Sequence, residues 1–244
     1  MKKIAVITPY YKESLEVLRK CHESVLSQKI PATHFFIADG FPQAELNQWN
    51  IKHISLAQGH DDNGDTPRGI GGVLAEVEGY DYVAYLDADN WFHPDHLSSL
   101  MDEMEKTGAE ISCSFRTMHA LDGSELVGVQ DSDEATLEHV DTSCYLIHRS
   151  AFEALHVWLR IPKKLAPICD RIYYLYLKHK NFKLAYTKNK SSAFRSQYRV
   201  HYEMAKVIPP NNLKDTVGGG EAFQWLLTIE GLKETVNKLG FIPL

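Results

Sequence analysis

The sequence lacks several features that mark special classes of protein. It contains no run of about 18 apolar residues, the length that a membrane span requires. Its four cysteines are widely spaced and form no Cys-x-x-Cys pair, which argues against a disulfide framework or a zinc site. The formal net charge of −6 argues against the basic face of an extended nucleic-acid interface. Because Met1-Lys2-Lys3 leads into a strand without an apolar signal segment, we expect a cytoplasmic protein.

Apolar residues are abundant enough for one large domain, at 44% of 244 residues. In residues 1–108, short buried strands alternate with helical patterns. The predicted strands are Lys3–Thr8, His34–Asp39, Ile51–Leu56 and Tyr82–Leu86. This alternation predicts an α/β fold with a Rossmann-like, doubly wound and mainly parallel sheet.

The pattern changes after Gly108, so residues 109–244 form a second half of the same continuous domain. We expect a smaller mixed sheet there, with strands at 111–118, 142–147 and 182–186. Residues 188–196 are polar and are predicted to form a loop. One C-terminal helix is predicted over 220–239, and its wide apolar face indicates packing on the domain, with dimerisation or membrane-surface attachment as alternatives.

Two carboxylates form the most informative motif. Asp87-Ala88-Asp89 follows the strand Tyr82–Leu86, and His93-Pro94 then marks the start of a helix. In an extended chain, residues two apart lie on the same face, so both carboxylates can contact the same ligand. Hard oxygen ligands suit a divalent cation that also binds phosphates, and the ends of parallel strands are where ligands bind. Taken alone, the segment fits equally well a strand-end Asp followed by a helix cap.

A glycine-rich helix start precedes this strand. Thr66-Pro67 predicts the cap and first turn, and Arg68, Gly69, Gly71 and Gly72 follow. Glycines inside a helix cost stability and therefore need a reason. They allow either the close approach of an anion to the backbone or tight packing of helix on sheet, and Arg68 either contacts that anion or faces solvent.

The order of these motifs resembles the family 2 glycosyltransferases, which have the GT-A fold. The resemblance covers roughly residues 4–205. It rests on Val6-Ile7-Thr8-Pro9-Tyr10-Tyr11, Phe36-Ile37-Ala38-Asp39-Gly40, Arg68-Gly69-Ile70-Gly71, Asp87-Ala88-Asp89, the segment 144–152, Cys169-Asp170 and Tyr198-Arg199-Val200-His201. The chain departs from the family where Ala38 replaces the first of two Asp, and where Cys169 replaces the Glu that precedes the catalytic Asp.

The resemblance implies a role for each matching residue, with residues 1–108 binding the nucleotide sugar and residues 109–244 binding the acceptor. The implied nucleotide-sugar contacts are Thr8, Pro9, Tyr10, Asp39, Arg68, Asp87, Ala88 and Arg199. The implied ligands of Mn²⁺ or Mg²⁺ are Asp89, Asp87 and His201. The implied general base is Asp170, with Asp141 in reserve.

Several of these roles have plain alternatives. Asp39 either accepts a hydrogen bond from uracil or closes an Asp-Gly turn. Tyr10 either packs against the base or closes the core, and Asp170 either acts as base or is the first-turn acid of its helix. Arg195 and Arg199 are candidate diphosphate clamps on a loop that closes over the donor.

The resemblance therefore implies an inverting glycosyltransferase that uses a UDP-sugar and a divalent cation. It also implies a saccharide or lipid-linked saccharide as acceptor, either soluble or presented at the inner membrane surface, and a role in polysaccharide or glycolipid synthesis. A homo-oligomer is compatible with the sequence. One alternative is a non-catalytic protein that binds a nucleotide sugar or a protein partner. Another is a sugar-phosphate nucleotidyltransferase, which would have a Gly-rich loop where Pro9-Tyr10-Tyr11-Lys12-Glu13 has no glycine.

Overall fold

The computed structural model describes residues 2–130, 137–215 and 219–244. The strands are β1 (Ile4–Tyr10), β2 (Thr33–Ala38), β3 (Lys52–Ser55), β4 (Tyr82–Tyr85), β5 (Trp91–Phe92), β6 (Ile111–His119), β7 (Tyr145–His148) and β8 (Leu184–Arg195). The α-helices are α1 (Leu15–Leu26), α2 (Asp65–Val77), α3 (His96–Thr107), α4 (Cys169–His179), α5 (Arg199–Met204), α6 (Gly220–Leu226) and α7 (Ile229–Leu239). The described residues before α4 also form four 3-10 segments, Ala44–Gln48, Thr142–Cys144, Arg149–Leu159 and Lys163–Ile168.

All eight strands form one sheet in the order β3-β2-β1-β4-β7-β6-β8-β5. Strands β1 to β4 are parallel, as the alternating pattern predicts. Strand β7 runs antiparallel to both β4 and β6, and β8 returns parallel to β6. The predicted mixed strands of the second half thus continue the parallel strands in the same sheet.

Two predictions for the second half are wrong. Residues 188–195 belong to β8, because Lys190 to Arg195 pair with β6 beyond an irregularity at Phe115. The C-terminal segment is two helices, because the hydroxyl of Thr228 accepts a hydrogen bond from the backbone N–H of Gly231 at 3.0 Å and starts a new helix there. Polar composition concealed the strand, and continuous apolar spacing concealed the break.

The core consists of two apolar layers, one on each face of the sheet. Successive side chains of a strand point to opposite faces, so Phe35 and Ile37 enter one layer and Phe36 enters the other. Helices α2 and α4 and the segment Arg149–Leu159 cover the first layer, while α1 and α3 cover the second. Within the described ranges, every helix is too short or too polar to cross a membrane.

Candidate functional site

The carboxyl ends of β1, β2 and β4 open into a cleft of about 460 Å³. This is the edge of a parallel sheet at which ligands are expected to bind. The lining is strongly acidic. Its carboxylates are Glu13, Asp39, Asp61, Asp62, Asp87 and Asp89, and its cations are Arg68, Arg195 and Lys214.

Most of the predicted donor-site residues line this cleft. These are Pro9, Tyr10, Asp39, Arg68, Asp87, Ala88 and Asp89. Thr8 is an exception, because its side chain is fully buried and its Oγ1 lies 2.8 Å from the Nε2 of His34, and its contact with the donor stays a prediction. It joins β1 to β2 behind the cleft.

Arg68 connects the Asp-x-Asp segment to a carboxyl that the sequence did not indicate. Its Nη2 donates to Asp87 Oδ1 at 2.7 Å, and its Nη1 lies 3.2 Å from Asp65 Oδ1. Only 4% of Arg68 is exposed, so the solvent-facing alternative is wrong. Burial raises the pKa of Asp65 to about 8, against the opposing effects of Arg68 and the Cys169 thiol.

The glycines of α2 serve its packing on the sheet and on the segment Arg149–Leu159. A Cβ on Gly71 would lie 2.6 Å from Ile7 Cγ2, and one on Gly69 would lie 2.5 Å from Leu159 Cγ. A left-handed residue, Gly64, precedes the helix at φ 84° and lets the chain turn beside the cleft. Of the two explanations for these glycines, anion approach and tight packing, the structure supports tight packing at Gly69 and Gly71.

Asp89 is the second carboxylate of the motif and is partly buried. Burial and the neighbouring Asp87 raise its pKa to about 7. Gln197 Nε2 donates to Asp89 Oδ2 at 3.3 Å. Among the residues that the structure describes, no three His, Cys, Asp or Glu side chains gather as a metal cluster. A cation at this pair would therefore complete its coordination with oxygens of its ligand and with water.

The structure does not bring His201 to the two aspartates. Its Nδ1 lies 2.8 Å from Ser196 Oγ, and the residue is absent from the cleft lining. Arg199 is likewise outside the lining, and its Nε donates to Asp215 Oδ1 at 2.7 Å. The donor contact of Arg199 and the metal ligation by His201 therefore both stay predictions.

Arg195 lines the cleft, but its guanidinium already donates hydrogen bonds to two backbone carbonyl oxygens. Its Nε donates to Asp89 O at 3.1 Å and its Nη1 to Leu121 O at 2.9 Å. It therefore ties β8 to the Asp-x-Asp segment. The cation that sequence reasoning missed is Lys214, which enters the lining because its backbone forms a β-bridge with Tyr198. No local sequence pattern marks that pairing.

Tyr10 and Asp39 occupy the end of the cleft formed by β1 and β2. Tyr10 is 2% exposed, and its hydroxyl lies 2.7 Å from His53 Nε2 and accepts from the Gln43 backbone N–H at 3.0 Å. Tyr10 thus closes the core at the cleft wall, and the exposed aromatic side chain beside it is Tyr11.

Asp170 lies in the first turn of α4, outside the cleft lining but close to it. Its side chain is 26% exposed, and its Oδ2 lies 3.7 Å from His139 Nε2. After burial, Asp170 is the largest cause of the raised pKa of Tyr198, which lines the cleft. The reserve candidate Asp141 instead accepts from Arg116 Nη1 at 2.7 Å and caps the Ser143 N–H at 2.9 Å.

Comparison with known proteins now identifies the family. The family model described as Glycosyl transferase family 2 matches residues 5–160, which include β2 to β4, all of β1 except Ile4, and the Asp-x-Asp segment. The chain belongs to glycosyl transferase family 2. The matched region ends before Asp170, so the base assignment stands on the sequence resemblance and on geometry.

Individual relatives of this family 2 chain are distant. The succinoglycan biosynthesis protein ExoW of Rhizobium meliloti (strain 1021) is 29% identical over 119 residues, which span 45% of this chain and 36% of that protein. The structure of S. aureus TarS 1-349 in complex with UDP superimposes with a TM-score of 0.62 at 16% identity, covering 96% of this chain and 72% of that one. The complex with UDP-GlcNAc gives a TM-score of 0.58 at 14% identity, with 96% and 73% covered. These two structures confirm the GT-A fold.

Proposed function

We propose that this family 2 glycosyltransferase moves a sugar from a UDP-sugar to an acceptor hydroxyl by an inverting single displacement that depends on Mn²⁺ or Mg²⁺. The observation that carries the proposal is the acidic cleft at the ends of the parallel strands, where Asp39, Asp87 and Asp89 meet. The complexes of TarS with UDP and UDP-GlcNAc support a uridine donor. The name of ExoW, a succinoglycan biosynthesis protein, supports a role in polysaccharide synthesis. Within that role we propose hexosyl transfer to a saccharide or lipid-linked saccharide on the cytoplasmic side of the membrane.

The charges in the cleft support the need for a divalent cation. Six carboxylates face three cations in the lining, and Arg68 and Arg195 already serve protein acceptors. A diphosphate would meet net repulsion there unless a cation stood between it and Asp87 and Asp89. These residues fit Mn²⁺ or Mg²⁺ because they supply hard oxygens and leave the other positions open. When bound, the cation would neutralise charge on the departing diphosphate.

Asp170 is proposed as the general base. The acceptor oxygen forms a bond to the anomeric carbon while the bond from that carbon to the diphosphate oxygen breaks, and the electron pair leaves with the diphosphate. The hydroxyl proton passes to the Asp170 carboxylate. One base on the face opposite the leaving group gives inversion. Asp141 is unsuited to this role because its carboxylate is about nine-tenths buried and is paired with the guanidinium of Arg116.

The donor site is tested by the thermal midpoint of unfolding with UDP, with and without Mn²⁺. A ligand present at about 100 times its dissociation constant adds roughly 2.7 kcal/mol, which for a chain of this size raises the midpoint by about 2–4 °C per kcal/mol. We expect a shift with UDP and Mn²⁺ together, and its loss in Asp89→Asn. If UDP gives no shift in either condition, the donor site is wrong.

The base is tested by Asp170→Asn. We expect transfer to fall by about 10²–10⁴-fold, the usual contribution of a general base, while the shift with UDP and Mn²⁺ is retained. Unchanged turnover in this variant would remove Asp170 from the mechanism. Retained UDP binding with no detectable transfer by the wild type to any saccharide would favour the non-catalytic alternative.

A further inference from the structure

The β2 end of the cleft holds a carboxylate that is fixed on one side by a histidine. Asp39 Oδ1 lies 2.6 Å from the Nδ1 of His60 and 3.2 Å from its backbone N. Asp39 Oδ2 accepts from the same backbone N–H at 3.0 Å. Both donors come from one residue, so the plane of the carboxylate is set before any ligand arrives.

Backbone packing holds His60 in this place. Gly40, directly after Asp39, has φ 82°, and a Cβ there would overlap the backbone of Gln58 and Gly59. The Asp39-Gly40 turn and the Gly59-His60 turn therefore touch main chain to main chain, which places the His60 N–H against the carboxylate. No flexible side chain separates the two turns, so the pairing is rigid.

The fixed carboxylate retains free acceptor capacity toward the cleft. A carboxylate has about four lone-pair sites, and Asp39 Oδ2 uses one of them for His60. Asp39 is only 6% exposed and lines the cleft. Because His60 supplies N–H donors, Asp39 presents an acceptor to a ligand and does not present a donor.

An exposed aromatic pair stands beside this acceptor. Tyr11 and Phe41 are 41% and 43% exposed, and their ring centroids are 4.6 Å apart at an interplanar angle of 78°. Both rings lie over Gly59, where a Cβ would be 3.3 Å from Tyr11 and 3.6 Å from Phe41. Tyr11 lines the cleft. Lys12 Nζ lies over the pair, 4.6 Å from the Tyr11 centroid and 4.2 Å from the Phe41 centroid, and both rings keep exposed surface. A partly exposed aromatic pair next to a buried acceptor is the pattern that a flat heterocycle with a ring N–H would fill.

We propose that His60 is a specificity-determining residue that orients Asp39 under the Tyr11–Phe41 pair to select a nucleobase with an imide N–H, uracil, over one without it. This inference rests on the proposed function and deepens it. Uracil offers its N3–H to the carboxylate, whereas cytosine presents a lone pair at N3. His60 acts through Asp39 and is therefore a positioning residue.

The test measures the affinity of the full chain for UDP, CDP and 3-methyl-UDP by calorimetry at fixed Mn²⁺. We expect the wild type to bind UDP at least about 10-fold more tightly than the other two, because a site built to accept an N–H leaves its acceptor unpaired when that N–H is missing. His60→Ala should weaken UDP about 10-fold and change CDP by less than about 2-fold, so that the preference collapses. The side chain of His60 is 27% exposed, so its removal spares the core.

Two further variants separate orientation from general damage. His60→Asn places an amide N–H near the position of Nδ1 and is expected to restore most of the UDP preference. His156→Ala removes another partly exposed histidine that pairs with a carboxylate, Glu76, and should leave all three affinities unchanged. A wild-type preference for UDP that survives in His60→Ala overturns this inference alone. If the wild type binds none of the three nucleotides, the proposed function itself fails.

Discussion

Asp65 shows how burial changes the chemistry of a single residue next to the cleft. It is the first residue of α2 and only 2% exposed, with Arg68 Nη1 3.2 Å from one oxygen. Its other oxygen, Oδ2, is also buried. Burial disfavours the charged form and raises the pKa of Asp65 to about 8. Asp65 therefore makes folding depend on pH.

The pH dependence of Asp65 has a definite sign. The pKa is about 8 in the folded state and about 3.9 in the unfolded state, so the folded state holds more protons between these values. Its contribution is fully present below pH 4 and is lost as the pH rises toward 8. Relative to Asp65→Asn, the wild type should lose at least about 1.4 kcal/mol of unfolding free energy between pH 5 and pH 8, the equivalent of one pKa unit.

Urea unfolding at each pH measures this difference. The exposed Asp102→Asn is the matched control and should follow the wild type throughout. A constant difference between Asp65→Asn and the wild type from pH 5 to pH 8 would show that Asp65 is ionised in the folded protein over that whole range.

Asp141 supports a second prediction at the residue scale. Its carboxylate and the guanidinium of Arg116 are both about nine-tenths buried, and the pair is 2.7 Å long. Asp141→Asn weakens a charge-assisted hydrogen bond to a buried cation, so we expect a loss of about 2 kcal/mol in unfolding free energy. The folded fraction should still transfer sugar, in contrast to Asp170→Asn. Loss of transfer in folded Asp141→Asn would instead make Asp141 the base.

Helix α2 illustrates how an element is placed by small residues. Its glycines let the helix approach β1 and the segment Arg149–Leu159 closely enough for Arg68 to reach Asp87. Gly71→Ala puts a methyl group 2.6 Å from Ile7 Cγ2, where the core leaves no room. We expect a cost of about 1–3 kcal/mol in unfolding free energy from overpacking.

Thermal or urea unfolding of Gly71→Ala tests this prediction beside Gly220→Ala. A Cβ on Gly220, at the start of α6, meets nothing within 4 Å. That control should leave the stability unchanged or raise it slightly, because alanine favours helix over glycine. Equal stabilities of the two variants would mean that α2 can move away from the sheet at little cost.

The same elements show what the sequence could and could not predict. Strands β1 to β4 and the acidic ends of β2 and β4 were predictable, because apolar runs mark parallel strands and ligands bind at their carboxyl ends. Strand β8 was missed because its polar residues are placed by pairing with β6. The roles of His60, Asp65 and Lys214 were also missed, because these side chains are placed by other parts of the chain. Their roles depend on contacts between segments distant in the chain, which leave no local pattern.

At the scale of the molecule, residues 1–108 and 109–244 share both the sheet and the core. Strand β4 pairs with β7, and β5 pairs with β8, so backbone hydrogen bonds of the sheet join the two halves. The larger apolar layer combines Ile7, Phe35 and Ile37 from the first half with Trp158 and Tyr173 from the second. The shared sheet and core thereby fix the position of the second half relative to the cleft.

This shared core predicts a single cooperative unfolding transition. Far-UV and near-UV circular dichroism of the full chain in urea should give coincident curves, because neither half can lose its packing alone. A fragment of residues 1–108 would expose the β4 edge and the apolar face that Trp158 and Tyr173 cover, and we expect it to show no cooperative transition. A cooperative transition in that fragment, with UDP binding in the presence of Mn²⁺, would show instead that the donor half is an independent folding unit. The second half would then serve only to place Asp170 and the acceptor against it.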